Sequence, residues 1–149
     1  MIVGFNFNKI SAEKNESVKG KIDVNNNVSI KEVQEASFSL GKKDQNGVRF
    51  VFEFTSKYEP EVGLIKFEGD VLYVDNEKAI KEIVDSWKKD KKLKKEIMGG
   101  ILNTVLTKSN VQALILSQQI NLPPPIPMPK VNITKKPEKG SAKGKEYIG

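Results

Sequence analysis

The hydrophobic pattern of this chain changes period once, at Asp75, and no other feature restricts the fold as much. Before Asp75, apolar residues tend to recur at every second position, the spacing of a strand with one buried face. After it they recur every three to four, the spacing of a helix with an apolar stripe. A block of strands followed by a block of helices specifies an α+β domain, an antiparallel sheet with helices on one face.

Within the first block, residues 2–10 alternate through Phe5 and Phe7, and residues 17–24 through Val18, Gly20, Ile22 and Val24. Asn25, Asn26 and Asn27 give a turn or bulge signal, because Asn tolerates left-handed backbone. Residues 28–40 resume with Val28 and Ile30, then shift phase to Val33. That shift is either a bulge near Lys31 and Glu32 in one long strand or a break between two strands. Residues 41–47 read as a hairpin loop. Residues 49–58 form the strongest strand, with Phe50, Phe52 and Phe54 on one face. A turn at 59–63 leads to a strand over 64–74, with Ile65, Phe67, Val71 and Tyr73 on one face and Gly69 read as a bulge.

Asp75 is the expected helix N-cap. Ala79, Ile80, Ile83, Val84 and Trp87 make one apolar stripe, and residues 88–95 form a charged bend. A second helical stretch starts at Glu96 with Ile97, Ile101, Leu102, Val105 and Leu106. Ser109 and Asn110 interrupt it in this reading. Val111, Ala113, Leu114, Ile115 and Leu116 are apolar almost all round, which predicts burial on more than one side. The helix must end before Leu122-Pro-Pro-Pro-Ile-Pro-Met-Pro129, since proline lacks an N–H and holds the preceding residue extended. The proline cluster forms an apolar extended arm, and a lysine-rich tail without periodicity succeeds it. The expected division is a domain over 1–131 and a basic low-complexity tail over 132–149.

Composition narrows function by exclusion. The chain has 149 residues, no Cys and no His, so disulfides, the usual zinc ligand sets, thiol nucleophiles and imidazole bases are all out. Glu59, Glu61, Glu68 and Asp70 lie near the last hairpin, but nothing in the sequence fixes them as an acid–base pair or a Mg²⁺ site. Gly99-Gly100 has no phosphate-loop sequel and reads as close helix packing or a kink. The expectation is a non-enzymatic binding protein without metal or cofactor. With no apolar run of about 18 residues and no signal-peptide pattern at residues 1–5, the expected location is the cytoplasm.

The net charge is +6, carried almost wholly by lysine, with Arg49 the one arginine. Lys88, Lys89, Lys91, Lys92, Lys94 and Lys95, together with Lys135, Lys136, Lys139, Lys143 and Lys145 in the tail, are candidates for contact with a polyanion such as RNA or a ribosome. A solvated helix junction accounts for the first six equally well. The phenylalanines of residues 49–58 are read as core rather than as a base-stacking platform, since the residues between them are mixed polar. The proline arm is read as packed on its own sheet through Leu122, Ile126 and Met128 rather than as a polyproline ligand.

Three features together resemble a known family: the run Phe5-x-x-x-Lys9-Ile-Ser-Ala-Glu13-x-Asn15, the four strands followed by a helix, and the exit Leu122-Pro-Pro-x-x-x-x-Pro129-x-Val131. They are similar to the bacterial export chaperone SecB and its SecB-like relatives, archaeal proteins with the same ending among them. Those carry an aromatic-x-x-x-Asp-x-Ser-Phe-Glu-x-Pro-Asn run and a proline loop after the helix. The resemblance implies a four-stranded meander and a protein that holds unfolded or nascent polypeptide in apolar grooves. It also implies a homo-oligomer assembled through the sheet edge and the helix. Phe5, Phe7, Ile126 and Met128 are the polypeptide-binding positions it implies, beside the strand of Phe50 to Phe54. The chain departs from SecB in being basic, and in having a lysine tail where that family has a C-terminal helix.

Overall fold

The computed structural model describes residues 1–15, 20–41 and 43–133. Strands β1 (Ile2–Lys14), β2 (Asp23–Leu40), β3 (Lys43–Glu59) and β4 (Gly63–Val74) precede helices α1 (Glu77–Asp90) and α2 (Lys95–Gln119). The sheet is antiparallel throughout, in the order β1-β4-β3-β2. The α+β architecture is therefore as the period change predicts. The connectivity is not a simple meander: β1 pairs with β4, and β1 and β2 occupy opposite edges.

Phase shifts in the sequence correspond to bulges on both edges. On β2 the inward set runs Val24, Asn26, Val28 and Ile30, then changes parity to Val33 across an irregularity between Ile30 and Glu32. On β1 it runs Phe5 and Phe7, then changes parity to Ile10 and Ala12 across one between Phe7 and Lys9. An extra residue on one strand flips the side of everything after it. The bulge expected at Gly69 thus lies on the neighbouring strand. Gly69 itself pairs with both Phe7 and Phe52, and a Cβ there would collide with the Asn6 carbonyl oxygen and come within 2.8 Å of the Phe52 ring.

Several local expectations are corrected. Asn25, Asn26 and Asn27 lie inside β2, paired with Lys57, Ser56 and Thr55. The expected strand over 17–24 gives way to one starting at Asp23; residues 16–19 lie outside the described region. The loop over 41–47 contracts, since Leu40 already pairs with Lys43 and Gly41 turns at φ 74°, a backbone that suits glycine. Asn76, not Asp75, caps α1, its Oδ1 accepting from the Ala79 N–H at 2.8 Å. Asp75 accepts instead from the Asn76 N–H and the Tyr73 hydroxyl, which hold its carboxyl below the usual range. Helix α2 runs unbroken through Ser109 and Asn110. Gly99 and Gly100 face open space, so they do not serve close helix packing.

The core lies between one sheet face and the two helices. One cluster gathers Val48, Phe50, Phe52 and Val71 beneath Ile80, Val84 and Trp87 of α1 and Ile101 and Val105 of α2. The other gathers Phe54, Tyr58, Ile65 and Phe67 beneath Ala113 of α2 and Leu122 of the arm. Phe50, Phe52 and Phe54 are fully buried, as core residues should be. The opposite sheet face is polar. There Asp70 accepts from the Asn6 and Asn8 amides at 2.9 and 3.0 Å and pairs with Arg49 at 3.8 Å, while Lys66 bridges Glu53 and Glu68. The acidic residues of the last hairpin are accounted for in part by these pairings.

Two glycine substitutions should have opposite signs. Gly69→Ala should destabilise by about 1–3 kcal/mol through overpacking. Gly100→Ala, in an open helix interior, should stabilise by about 0.5–1 kcal/mol. Urea unfolding of both variants beside the parent checks the pair.

Candidate functional site

Helix α2 reaches every strand of the sheet. It does so through one stripe at four-residue spacing, Ile101, Val105, Ser109, Ala113 and Ser117, all buried. The side chains of the stripe shorten toward the C-terminus. Burial of the 111–116 turn is one-sided. Ala113 faces the sheet, but Val111 is 59% and Ile115 44% exposed, against the expectation of burial all round. Period alone could not reveal this, because a helix covered on two sides and one that leaves an apolar side open share the same composition.

Of these open side chains, Val111 adjoins β1. Phe5 and Phe7 are half-buried, in edge-to-face contact at 4.9 Å, and held from beneath. Phe5 stacks on Phe52 at 5.2 Å, and Phe7 meets Phe67 at 5.1 Å. With Thr107, Lys108 and Val111 they line a trough of about 420 Å³ between β1 and α2. The Lys108 ammonium sits 5.5 Å from the centre of the Phe5 ring, in cation–π contact. Ile10, 47% exposed, continues the apolar surface along β1. Strand β1 is also a sheet edge, so one row of its backbone N–H and C=O groups has no strand partner among the described residues. Of these residues, sequence reasoning singled out only Phe5 and Phe7. Lys108, Val111 and Ile10 were missed, although Lys108 is the one ionisable side chain between Ile97 and Pro129.

The proline arm lies at the other edge. α2 ends at Gln119, Asn121 takes left-handed backbone, and Leu122 packs over Gly63. The Tyr58 hydroxyl donates to the Pro123 carbonyl at 2.7 Å, and the Asn26 amide donates to the Pro125 carbonyl at 2.7 Å. Asn26 is steadied in turn by Ser56. The arm therefore packs on its own sheet, as expected, but through Leu122 and Pro125. Ile126 is half-buried and Met128 is 44% exposed; they follow Pro125, which is bonded to β2 at the edge opposite the one that carries Phe5 and Phe7.

The lysine run has local roles. Lys91 ends α1 in left-handed backbone, its N–H donating to the Trp87 carbonyl and its ammonium 5.4 Å from the Trp87 ring. Lys94 pairs with Glu82 at 3.5 Å. Lys88 and Lys89 lie in the last turn of α1, where cations offset the helix dipole, and Lys92 and Lys95 are exposed. Lys135, Lys136, Lys139, Lys143 and Lys145 lie outside the described residues. A further apolar cleft of about 270 Å³ opens between α1 and the α1–α2 link, lined by Ala79, Ile83, Leu93 and Ile97 beneath the Glu82–Lys94 pair. Among the described residues no cluster of acidic side chains suits a metal ion, and no helix is long and apolar enough to cross a membrane.

Neither protein-family models nor curated protein sequences match the chain. Among solved structures, it is similar to the SecB-like chaperone Rv1957 of Mycobacterium tuberculosis, determined in complex with a ChAD peptide from the Rv1956 HigA1 antitoxin. Identity is 13% and the TM-score 0.46, over 93% of this chain and 92% of that one. That structure bears the name of the family whose motifs the sequence resembles.

Burial pushes the Tyr58 hydroxyl up to about 12 from an ordinary 10.0. A pKa raised on folding favours the neutral form, so this contribution is complete below pH 10 and is lost as pH rises toward 12. Stability should fall across that window, and Tyr58→Phe should remove this component of the fall. The same variant should cost about 1–2 kcal/mol at pH 7, since the Pro123 carbonyl loses its donor. Urea titrations at pH 7, 10 and 11.5 check both effects.

Proposed function

We propose that the protein is a non-enzymatic binding protein that holds extended polypeptide, in the manner of a chaperone, in the trough between β1 and α2. One observation carries the reading: half-buried Phe5 and Phe7 line an open apolar trough with exposed Val111, with exposed Ile10 further along β1, beside a sheet edge that has no strand partner among the described residues. An extended chain suits both parts at once. Its backbone adds to the β1 edge and alternate side chains enter the trough. The SecB-like character of the Phe5–Asn15 run supports the same reading. The polyanion reading draws on lysines that are partly engaged in capping, ring contact and ion pairing, and no groove collects them among the described residues.

The test is binding of a fluorescent, permanently unfolded polypeptide, followed by anisotropy. Binding should persist from about 50 to 500 mM salt, where phosphate-driven association weakens steeply. Val111→Ser and Ile10→Ser replace exposed side chains, so stability should stay within about 0.5 kcal/mol of the parent. Val111→Ser should weaken binding about ten-fold, the effect of withholding ~1.5 kcal/mol of apolar burial. Unchanged affinity in both variants would place the client elsewhere.

A further inference from the structure

The trough is not purely apolar at its rim, and its one charge is conspicuous. From Ile97 to Pro129 the chain carries a single ionisable side chain, Lys108. Lys108 and Thr107 line two neighbouring depressions at once. One is the apolar trough, completed by Phe5, Phe7 and Val111. The other, of about 300 Å³, is polar and completed by Asn103 and Thr104. Among the described residues no carboxylate lies within ion-pairing distance of the Lys108 ammonium, and no acidic side chain lines either depression.

We infer that the trough selects polypeptide segments in which an acidic side chain lies two residues from a bulky apolar anchor. This inference rests on the polypeptide-binding function proposed for the same trough. The anchor enters the trough over Phe5 and Phe7. The carboxylate enters the polar depression and draws the Lys108 ammonium from its place over the Phe5 ring, with the Thr104 and Thr107 hydroxyls and the Asn103 amide as further donors. The two depressions share Thr107 and Lys108, so they lie side by side. Residues i and i+2 of an extended chain lie on one face about 6.5 Å apart.

The same geometry rejects basic segments. A bound chain that covers Lys108 removes water from its ammonium, and the Phe5 ring, a weak partner, offsets little of that cost. A carboxylate compensates that loss, a neutral side chain does so in part, and a second ammonium adds repulsion. Lys108 is a specificity residue here, while the apolar trough supplies affinity.

The experiment uses three fluorescent unstructured peptides that share one Phe anchor and carry Glu, Gln or Lys two residues from it. At low salt the whole protein should bind Glu over Gln by about five-fold, near the upper end for an exposed ion pair, and Lys least. Lys108→Met keeps the apolar stem and should bring the Glu peptide down to the Gln peptide's affinity, leaving the latter unchanged. Lys108→Arg should retain the preference, and Lys108→Glu should invert it. Equal binding of the Glu and Gln peptides by the parent, or a preference that survives Lys108→Met, overturns the selectivity while the binding reading stands. Binding of none of the three overturns both.

Discussion

The packing of Phe52 across Gly69 organises this fold. At the level of Gly69 the four strands pair through Phe7, Gly69, Phe52 and Ile30. Because Gly69 has no side chain, the Phe52 ring occupies the space above β4 and reaches the aromatic pair on β1, two strands away. Both edge strands bulge just beyond that level. A bulge bends its strand and increases local twist, and these two flank the Phe52 level, the one on β1 toward Glu68 and the one on β2 toward Val51. The two core clusters meet there as well, since Phe7 and Val28 pack against both.

The open trough is a consequence of that packing. Phe5 and Phe7 spend their inner surfaces on Phe52 and Phe67, and only a second layer could cover their outer surfaces. α2 is that layer, but it crosses the sheet on a single stripe, and α1 lies mainly over β2 and β3. The stripe includes Ser109, Ala113 and Ser117, which fill little volume. Large residues from elsewhere, Tyr58 and Leu122, complete the core at that end. The apolar residues of α2 that do not fit beneath the helix are left pointing outward or toward β1.

The layer architecture was legible because period is a property of the backbone. A strand that buries one face must alternate, and a helix on a sheet must carry a stripe. The inward phenylalanines of β3 and the stripe of α1 followed from that alone, as did the phase shift near Lys31, though not whether it was a bulge or a break. Register across strands was less legible. The change of parity between Phe7 and Ile10 is present in the sequence, but the polar run Asn8-Lys9 conceals it. Asn26 looked like a turn residue because its real partners, Ser56 and the Pro125 carbonyl, are far away in the chain. For the site, the sequence pointed to Phe5 and Phe7 and placed them with Ile126 and Met128, whereas the tertiary fold sets them beside Val111 and Lys108. Which side of an apolar helix stays open depends on what packs against it, and no local pattern carries that information.

The two sheet edges are treated differently, and that difference bears on function. At β2 the proline arm is fixed by donors from Tyr58 and Asn26, and prolines offer no N–H to an incoming strand. At β1 nothing among the described residues lies over the edge, and the strand is thirteen residues long. A long free edge beside exposed apolar side chains invites indiscriminate pairing unless something limits it. Here the limits are local: the irregularity at Asn8, whose amide is drawn to Asp70 on the far face, and the charges of Lys9, Glu13 and Lys14 along the strand. The irregularity breaks the edge into two short runs, one beside the phenylalanines and one beside Ile10. Neither is long enough for a stable two-stranded ribbon by itself, since an isolated hairpin is marginal in water. A strand that docks on β1 must therefore gain from the trough as well as from the edge. Backbone pairing alone favours any extended chain, whereas the requirement for a side chain over Phe5 and Phe7 restricts the edge to segments that carry one.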